Sequence, residues 1–394
     1  MKTLSKSRFV SGVQCEKKLW YSYYRKDLQL PTDEQTQAIF DLGHQIGNLA
    51  QNRFPNGKDA TPEDFSDFSP SIEKTKLWIA EEVETIYEAT FTAKNALCML
   101  DILHRMNDEV WAIEVKNSTS VKDYHLTDAS LQYFVMKEAG YAPDKFFLMH
   151  INNQYIKNGE LTDEFFHLED ITDKVLSKQT WVEENLERLL VMLENKQEPN
   201  VSIGAHCSSP FACDFVHHCW KHIPENSVFE LYRGGNKAWE LYKQGILKIE
   251  DIEDDFPLTH FQHLQRKGLR NQEQYINKEA IKNMISSWQF PLYFFDFETV
   301  FPAIPVLDGT RPYQQVPFQY SLHILEEDGK LSHKEFLAHP EDFSNGKNPL
   351  KLLVEQLKQD FGTDGNIVTY NQSFEVARLN ELANMFPEDA PFLK

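Results

Sequence analysis

Hydrophobic and polar positions change period several times along the chain, and each change marks an element. Residues 1–30 read as helix with Cys15 in its first turns. Residues 33–54 continue as an amphipathic helix through Phe40, Leu42, Ile46, Leu49 and Phe54, closed by Pro55-Asn56-Gly57, and 71–86 form a shorter one. The period then falls to two, which predicts strands over 88–93, 96–104 and 110–117. Helical spacing returns over 125–140, with Leu131, Phe134, Val135 and Ala139 on one face and Gly140 as the stop. A compact apolar strand follows at 145–152, then a long helix at 170–196. Residues 225–290 are helical. Within them, 231–252 read as helix, turn at Gly245-Ile246, helix, and 251–257 as a linker. The last hundred residues restart with strands at 291–299, 318–325, 333–338 and 366–370, and helices at 349–361 and from Phe374 to Leu382. This layer order predicts an α/β protein: a mixed sheet flanked by helices, a helical connector, and a second α/β module.

The chemistry starts in the hairpin 96–117. Leu97, Met99, Asp101 and Leu103 share one face of its first strand, and Asn107-Asp108 supplies the turn. In the partner strand Trp111, Ile113 and Val115 alternate with Ala112, Glu114 and Lys116, so Glu114 and Lys116 share a face. Two carboxylates converging there can hold a hard divalent cation. A cation so held can activate water against a phosphodiester, with a lysine to orient the water or stabilise developing charge. An ion-paired solvent face is the competing reading of the same residues.

The second module opens with Asp296-Phe297-Glu298 in a nearly continuous apolar strand. Alternation sets both carboxylates on one face, and acids in a buried strand need a partner or a metal. Glu375, one turn into a later helix, is placed to point back at them.

Cysteines add a second metal signal. Cys207, Cys213 and Cys219 recur at intervals of six on a Ser- and Pro-containing loop, and Cys15 is the best remaining fourth ligand because Cys98 faces away from Asp101 in its strand. Four thiolates suit a 4Fe–4S cluster or zinc, and His206, His217, His218 or His222 can replace a thiolate around zinc. An odd total of five cysteines without a secretory leader argues against a disulfide framework. The start of the chain lacks the apolar core of a signal peptide, and no run is apolar enough to span a bilayer, so a cytoplasmic protein without membrane contact is expected.

Net charge is −20, from 40 basic and 60 acidic residues, which opposes broad nucleic-acid binding. Local cations nonetheless mix with aromatics: Lys17, Lys18, Arg25 and Lys26 surround Trp20, Tyr21, Tyr23 and Tyr24. That mixture suits stacking on bases and contact with a phosphate backbone, while a first helix with a solvated basic face is the competing and slightly favoured reading.

With these motifs in place, residues 1–222 resemble the RecB-like nucleases that carry an iron–sulfur cluster, as among CRISPR-associated exonucleases and the AddB helicase-nuclease. The matching residues are Asp101, Glu114-Val115-Lys116, Gln132 on the next helix, one early cysteine and three late ones. The resemblance implies a PD-(D/E)XK fold with a restriction-endonuclease-like mixed sheet. It implies Mg²⁺ or Mn²⁺ on Asp101 and Glu114, a catalytic Lys116, Gln132 at the site or substrate, and a 4Fe–4S cluster on Cys15, Cys207, Cys213 and Cys219. The family's Gly-x-x-x-His helix motif departs here to Gly47-x-x-x-Gln51, with His44 three residues before Gly47, and its Gln-x-x-x-Tyr ends on Met136.

Residues 223–290 form a helical connector, read first as a plain link and alternatively as a helix-hairpin-helix contact to DNA backbone. Residues 291–394 resemble the start of a DnaQ-like (DEDD) exonuclease on an RNase H-type sheet. Asp296-Phe297-Glu298 matches the first motif, and Tyr370-Asn371 through Glu375 is similar to the second. This implies metal binding by Asp296, Glu298 and Glu375. The third motif is expected beyond the nineteen residues that follow Glu375, so this module is expected to be incomplete. The combined expectation is a nuclease acting on nucleic acid, DNA favoured over RNA, at single strands or ends. The alternative is a non-catalytic nucleic-acid-binding or scaffold protein with an Fe–S or Zn clasp.

Overall fold

A computed structural model describes residues 2–339, 341–342 and 347–394. The described chain is mixed α/β, with a seven-stranded sheet and a four-stranded sheet, both flanked by helices. By compactness it divides into one unit of residues 1–150 and 168–275 and another of 151–167 and 276–394.

In the first unit, β1 (Leu4–Ser5) leads into α1 (Lys6–Gln14) and α2 (Glu16–Tyr24). The expected single helix is broken at Cys15, which is extended (φ −163°, ψ 118°) and serves as the N-cap of α2. Helices α3 (Glu34–Gln51) and α4 (Ser69–Ala80) flank the short β2 (Lys58–Asp59). Then come β3 (Thr85–Ala93), β4 (Ala96–Met106), β5 (Glu109–Lys116), α5 (Asp123–Glu138), β6 (Lys145–Ile151) and β7 (Phe166–Asp170). Strand order is β2-β3-β4-β5-β6-β7, with β1 paired to β4. The β4–β5 turn is the two residues Asn107-Asp108, with Asn107 at φ 54°, as turn chemistry predicts.

One face of this sheet is dry. Cys98, Leu100 and Ala112 pack with Leu131, Phe134 and Val135 of α5 and with Phe9 of α1. The long helix expected over 170–196 is two, α6 (Thr172–Leu176) and α7 (Gln179–Glu194), and α7 brings Val182, Leu186 and Leu189 to the same core. Helix α5 is buried almost all round, so its polar residues are also enclosed. After the one-turn α8 (Val216–Cys219), the connector folds around a small core of Val228, Leu231, Leu241, Ile249 and Ile252. It is less helical than its periodicity predicts: α9 (Asn236–Lys243) and α10 (His260–Asn271) are separated by turns.

The second unit carries α11 (Lys278–Ser286), β8 (Leu292–Val300), β9 (Val316–Leu325), β10 (Leu331–Leu337), α12 (Pro349–Asp360), β11 (Asn366–Val368) and α13 (Gln372–Met385). Strand order is β10-β9-β8-β11, antiparallel except for the β8–β11 pair. Leu353, Val354 and Leu357 of α12 cover Phe295, Phe297, Tyr320 and Leu322 on one face. The opposite face is open, and this corrects the sequence expectation. Phe294, Asp296 and Glu298 are exposed, so β8 is buried on one side only and its acids stay solvated. The 151–167 segment is tied into this unit where Lys157 Nζ donates to Asp308 Oδ1 at 2.6 Å. Among the described residues no helix is long and apolar enough to cross a membrane.

Candidate functional site

The hairpin acids meet where the β4–β5 ladder ends. The last paired residues are Ile102 and Ile113, and one further step of the register sets Asp101 opposite Glu114. There the strands cease regular pairing, and the Asp101 side chain takes over as acceptor: Val115 N–H donates to its Oδ2 at 2.6 Å.

On the other side, the β3–β4 register runs through Tyr87–Ile102 and Ala89–Leu100 and skips the pair between them, Glu88 and Asp101. Glu88 has φ 52°, a left-handed conformation in mid-strand. Glu88, Asp101 and Glu114 thus occupy one row across three adjacent strands. Glu88 is the acid that sequence reasoning missed.

Glu114 is 1% exposed and fully engaged. Its Oε1 accepts from Lys116 Nζ at 2.6 Å and from Lys6 Nζ at 2.8 Å. Its Oε2 accepts from Gln132 Nε2 at 2.8 Å. Lys116 also donates to Asp128 Oδ2 at 2.7 Å. Asp101, Glu114, Lys116 and Gln132 are therefore brought to one place, and Lys6, Glu88 and Asp128 join them.

Lys6 is fixed by β1, which pairs with β4 at Ala96 and Leu97, and by Ser5, whose hydroxyl caps α1. Beside the row, the buried acceptors Asp128 Oδ1 and Gln132 Oε1 lack a partner among the described residues. His125, on the same helix, accepts from Lys122 N–H through Nδ1 at 3.1 Å.

Charge is unevenly shared across the row. Burial raises the Asp101 pKa, the neighbouring Glu114 adds to it, and the result is about 6. Burial and then Asp101 push Glu88 to about 8. Burial opposes ionisation of Glu114 too, but Lys116 and Lys6 overcome it and hold the carboxyl well below its usual range. The row is thus a firm carboxylate beside two acids that hold their protons more tightly. The position where the Gly-x-x-x-His motif would carry histidine is Gln51 on α3, and His44, one turn before Gly47, is exposed.

The cysteines converge as well. Cys15, Cys207, Cys213 and Cys219 line one cavity of about 20 Å³, with His206, Tyr21 and Phe215. Gln14 binds the loop to α1 by donating to the carbonyls of His206 and Phe211, both at 2.7 Å. Burial raises the Cys15 thiol pKa, while the Lys17 and Lys18 amides favour its thiolate. Burial pushes Cys213 to about 11. Cys98 lies apart in the core. Among the described residues, no group of three or more His, Cys, Asp or Glu side chains is placed so as to hold a metal ion.

In the second unit, Asp296 and Glu298 stand on the open face of β8. Glu375 is buried at the start of α13, close enough to Asp296 to feel its charge, and its Oε2 has no partner among the described residues. Burial, then Asp296, raises its pKa.

Comparison with known proteins gives a family match over part of the chain. Residues 293–394 match a family described as a domain of unknown function, DUF2779. The uncharacterized protein MG366 of Mycoplasma genitalium is 30% identical over 99 residues, covering 24% of this chain and 14% of that protein. Its Mycoplasma pneumoniae homolog is 35% identical over 103 residues, 25% of this chain and 15% of that one. The uncharacterized protein UU173 of Ureaplasma parvum is 30% identical over 121 residues, 29% and 17% of the two chains. The matched stretch therefore spans less than a fifth of the length of these curated relatives. A solved structure titled "Crystal structure of SSO0001" aligns over 56% of this chain and 86% of its own, at 15% identity and a TM-score of 0.30.

Proposed function

We propose that the chain is a Mg²⁺- or Mn²⁺-dependent nuclease that cleaves DNA phosphodiesters, at single strands or ends. In this reading its first unit is restriction-endonuclease-like, and its four clustered cysteines hold a structural 4Fe–4S cluster. The observation that carries the reading is the convergence of Asp101, Glu114, Lys116 and Gln132 at the point where two strands part, with Val115 N–H on Asp101.

The donor chemistry suits a hard divalent cation, because the set is built of carboxylate oxygens with the unpartnered Asp128 Oδ1 and Gln132 Oε1 as two further buried acceptors, although the side chains as placed must shift to form a seat. Asp101 and Glu114 would hold the ion, with Glu88 as a third oxygen donor in the row. A bound cation supplies a water of lowered pKa. Gln132 keeps one oxygen of Glu114 in place, and Asp128 aims the Lys116 ammonium at the acids, where it can steady the charge that grows on a phosphate oxygen. The thiol set has the chemistry for iron–sulfur or zinc, which would draw its side chains together and tie the start of α2 to the 207–219 loop without entering the reaction.

A second reading is a non-catalytic nucleic-acid-binding or scaffold protein with the same clasp. It is favoured by Glu114, whose two oxygens are already taken by two lysines and Gln132. The second unit we read as RNase H-like from its β10-β9-β8-β11 order, with Asp296, Glu298 and Glu375 as its acids.

One assay decides between these readings: Mn²⁺-dependent cleavage of single- and double-stranded DNA and RNA. Activity that falls about a hundredfold or more in Asp101→Ala, the scale on which groups supporting a bound metal act, and persists in Asp296→Ala supports the proposal. The reverse pattern would move the working site to the second unit. No cleavage at all would leave the scaffold reading.

A further inference from the structure

We propose that Lys6 is an internal competitor for the cation seat at Glu114: its ammonium closes the acid row and must leave Glu114 for a divalent ion to bind there. This rests on the nuclease reading of the row. The argument starts from a shared atom. Glu114 Oε1 carries both Lys6 Nζ at 2.8 Å and Lys116 Nζ at 2.6 Å, while Oε2 carries Gln132. Two like charges on one oxygen repel, so one of them is the weaker guest.

Lys116 is held twice, by Glu114 and by Asp128, and it springs from the same strand as Glu114. Among the described residues Lys6 makes one ion pair, with Glu114, and its side chain is 26% exposed. Lys116, at 22%, is nearly as exposed, so the second anchor is what separates the two. Lys6 is therefore the cation that yields.

Its place is built into the fold. Leu4 is fully buried and its N–H donates to Asn95 O at 2.9 Å, which joins the strand before Lys6 to the strand that carries Asp101. A flexible four-carbon stem on a fixed backbone can swing its head off Glu114 without leaving the neighbourhood. Charge count points the same way. Glu88, Asp101, Glu114 and Asp128 face two ammoniums, so the row is short of positive charge by two units when all four are ionised, and Asp101 and Asp128 are the next anions that Lys6 meets. A lysine at this position keeps a buried carboxylate from standing uncompensated, which is costly.

The test uses the full-length chain and Mn²⁺ alone. Binding is read by the electron paramagnetic resonance of free Mn²⁺, and Lys6 exposure by amine acylation followed by mass spectrometry. Lys6 is expected to be protected without the ion and acylated once Mn²⁺ saturates. Lys6→Met is expected to bind Mn²⁺ about tenfold more tightly, within the range by which groups around a metal site tune it. Lys116→Met is the control for loss of charge alone and should tighten binding less. Should Lys6→Met fail to fold, Lys6→Arg decides, because its forked head holds Glu114 more firmly and should weaken Mn²⁺ binding.

Unchanged acylation of Lys6 at saturation, with equal affinity in the Lys6 variants, overturns the proposal while leaving the site intact, provided Asp101→Asn still loses the ion. If neither wild type nor Lys6→Met binds Mn²⁺, the site reading and the competitor fall together.

Discussion

The Val115 amide donates to Asp101 Oδ2 at 2.6 Å, so a side chain completes a ladder that the backbone of β4 has stopped serving. Asp101 is therefore structural as well as chemical, and its two roles separate by substitution. Asp101→Asn keeps an acceptor for Val115 and should fold with near-native stability. Asp101→Ala strands a half-buried N–H and should cost about 1 kcal/mol. Both should abolish metal-dependent cleavage. Urea denaturation beside the cleavage assay checks this, and equal stability of the two variants would remove the structural role.

Glu88 sets a pH dependence of its own. Its folded pKa is raised to about 8, above that of an unfolded glutamate. The unfolded chain then binds fewer protons than the folded one between about pH 4.5 and 8, so stability falls as pH rises through that window. Asp101, raised to about 6, acts in the same direction at lower pH. In chelator, Glu88→Gln should flatten this decline, and Mn²⁺ should reverse it in the wild type. Thermal melts across pH test both, and a decline that survives Glu88→Gln unchanged would assign it elsewhere.

His125 has the opposite sign. It is 2% exposed, and burial followed by the Lys116 charge lowers its pKa to about 4. The unfolded state binds the extra proton between about pH 6.5 and 4, so stability is lost as pH falls through that range, by roughly 3 kcal/mol in full. His125→Asn should remove most of this acid sensitivity. An unchanged acid limb in that variant would show that His125 does not set it.

The cysteine cavity makes a compositional prediction. Protein purified without oxygen should be brown, with about four irons and four sulfides per chain. Cys15→Ser should lose the colour and melt at lower temperature, because metal binding there is also folding energy. Colourless protein containing zinc would keep the clasp and discard the iron.

The sequence was most readable where local rules act alone. Asn107-Asp108 announces its own turn, and alternation correctly sets Glu114 and Lys116 on one face. Glu88 was hidden because its positive φ takes it out of the alternation around it, and nothing in Tyr87-Glu88-Ala89 signals that. Lys6 was hidden because only the β1–β4 pairing, a contact across ninety residues, delivers it to Glu114. Cysteine carries no helix-breaking chemistry, so the interruption at Cys15 could not be foreseen from residue type. The acids of β8 were read as buried because the strand is rich in phenylalanine, but Phe294 itself is exposed on the open face.

Helix α1 sets a fixed spacing between the two halves of the first unit. Its nine residues run from Lys6 to Gln14, and Cys15 follows directly. That is a rod of about 13 Å turning once every 3.6 residues. Adding or removing a single residue inside it would rotate one end against the other by about 100°. Either the ammonium would leave the acid row or the thiol would leave its cavity. The length and phase of this helix are therefore fixed as firmly as its buried Phe9 and Gly12.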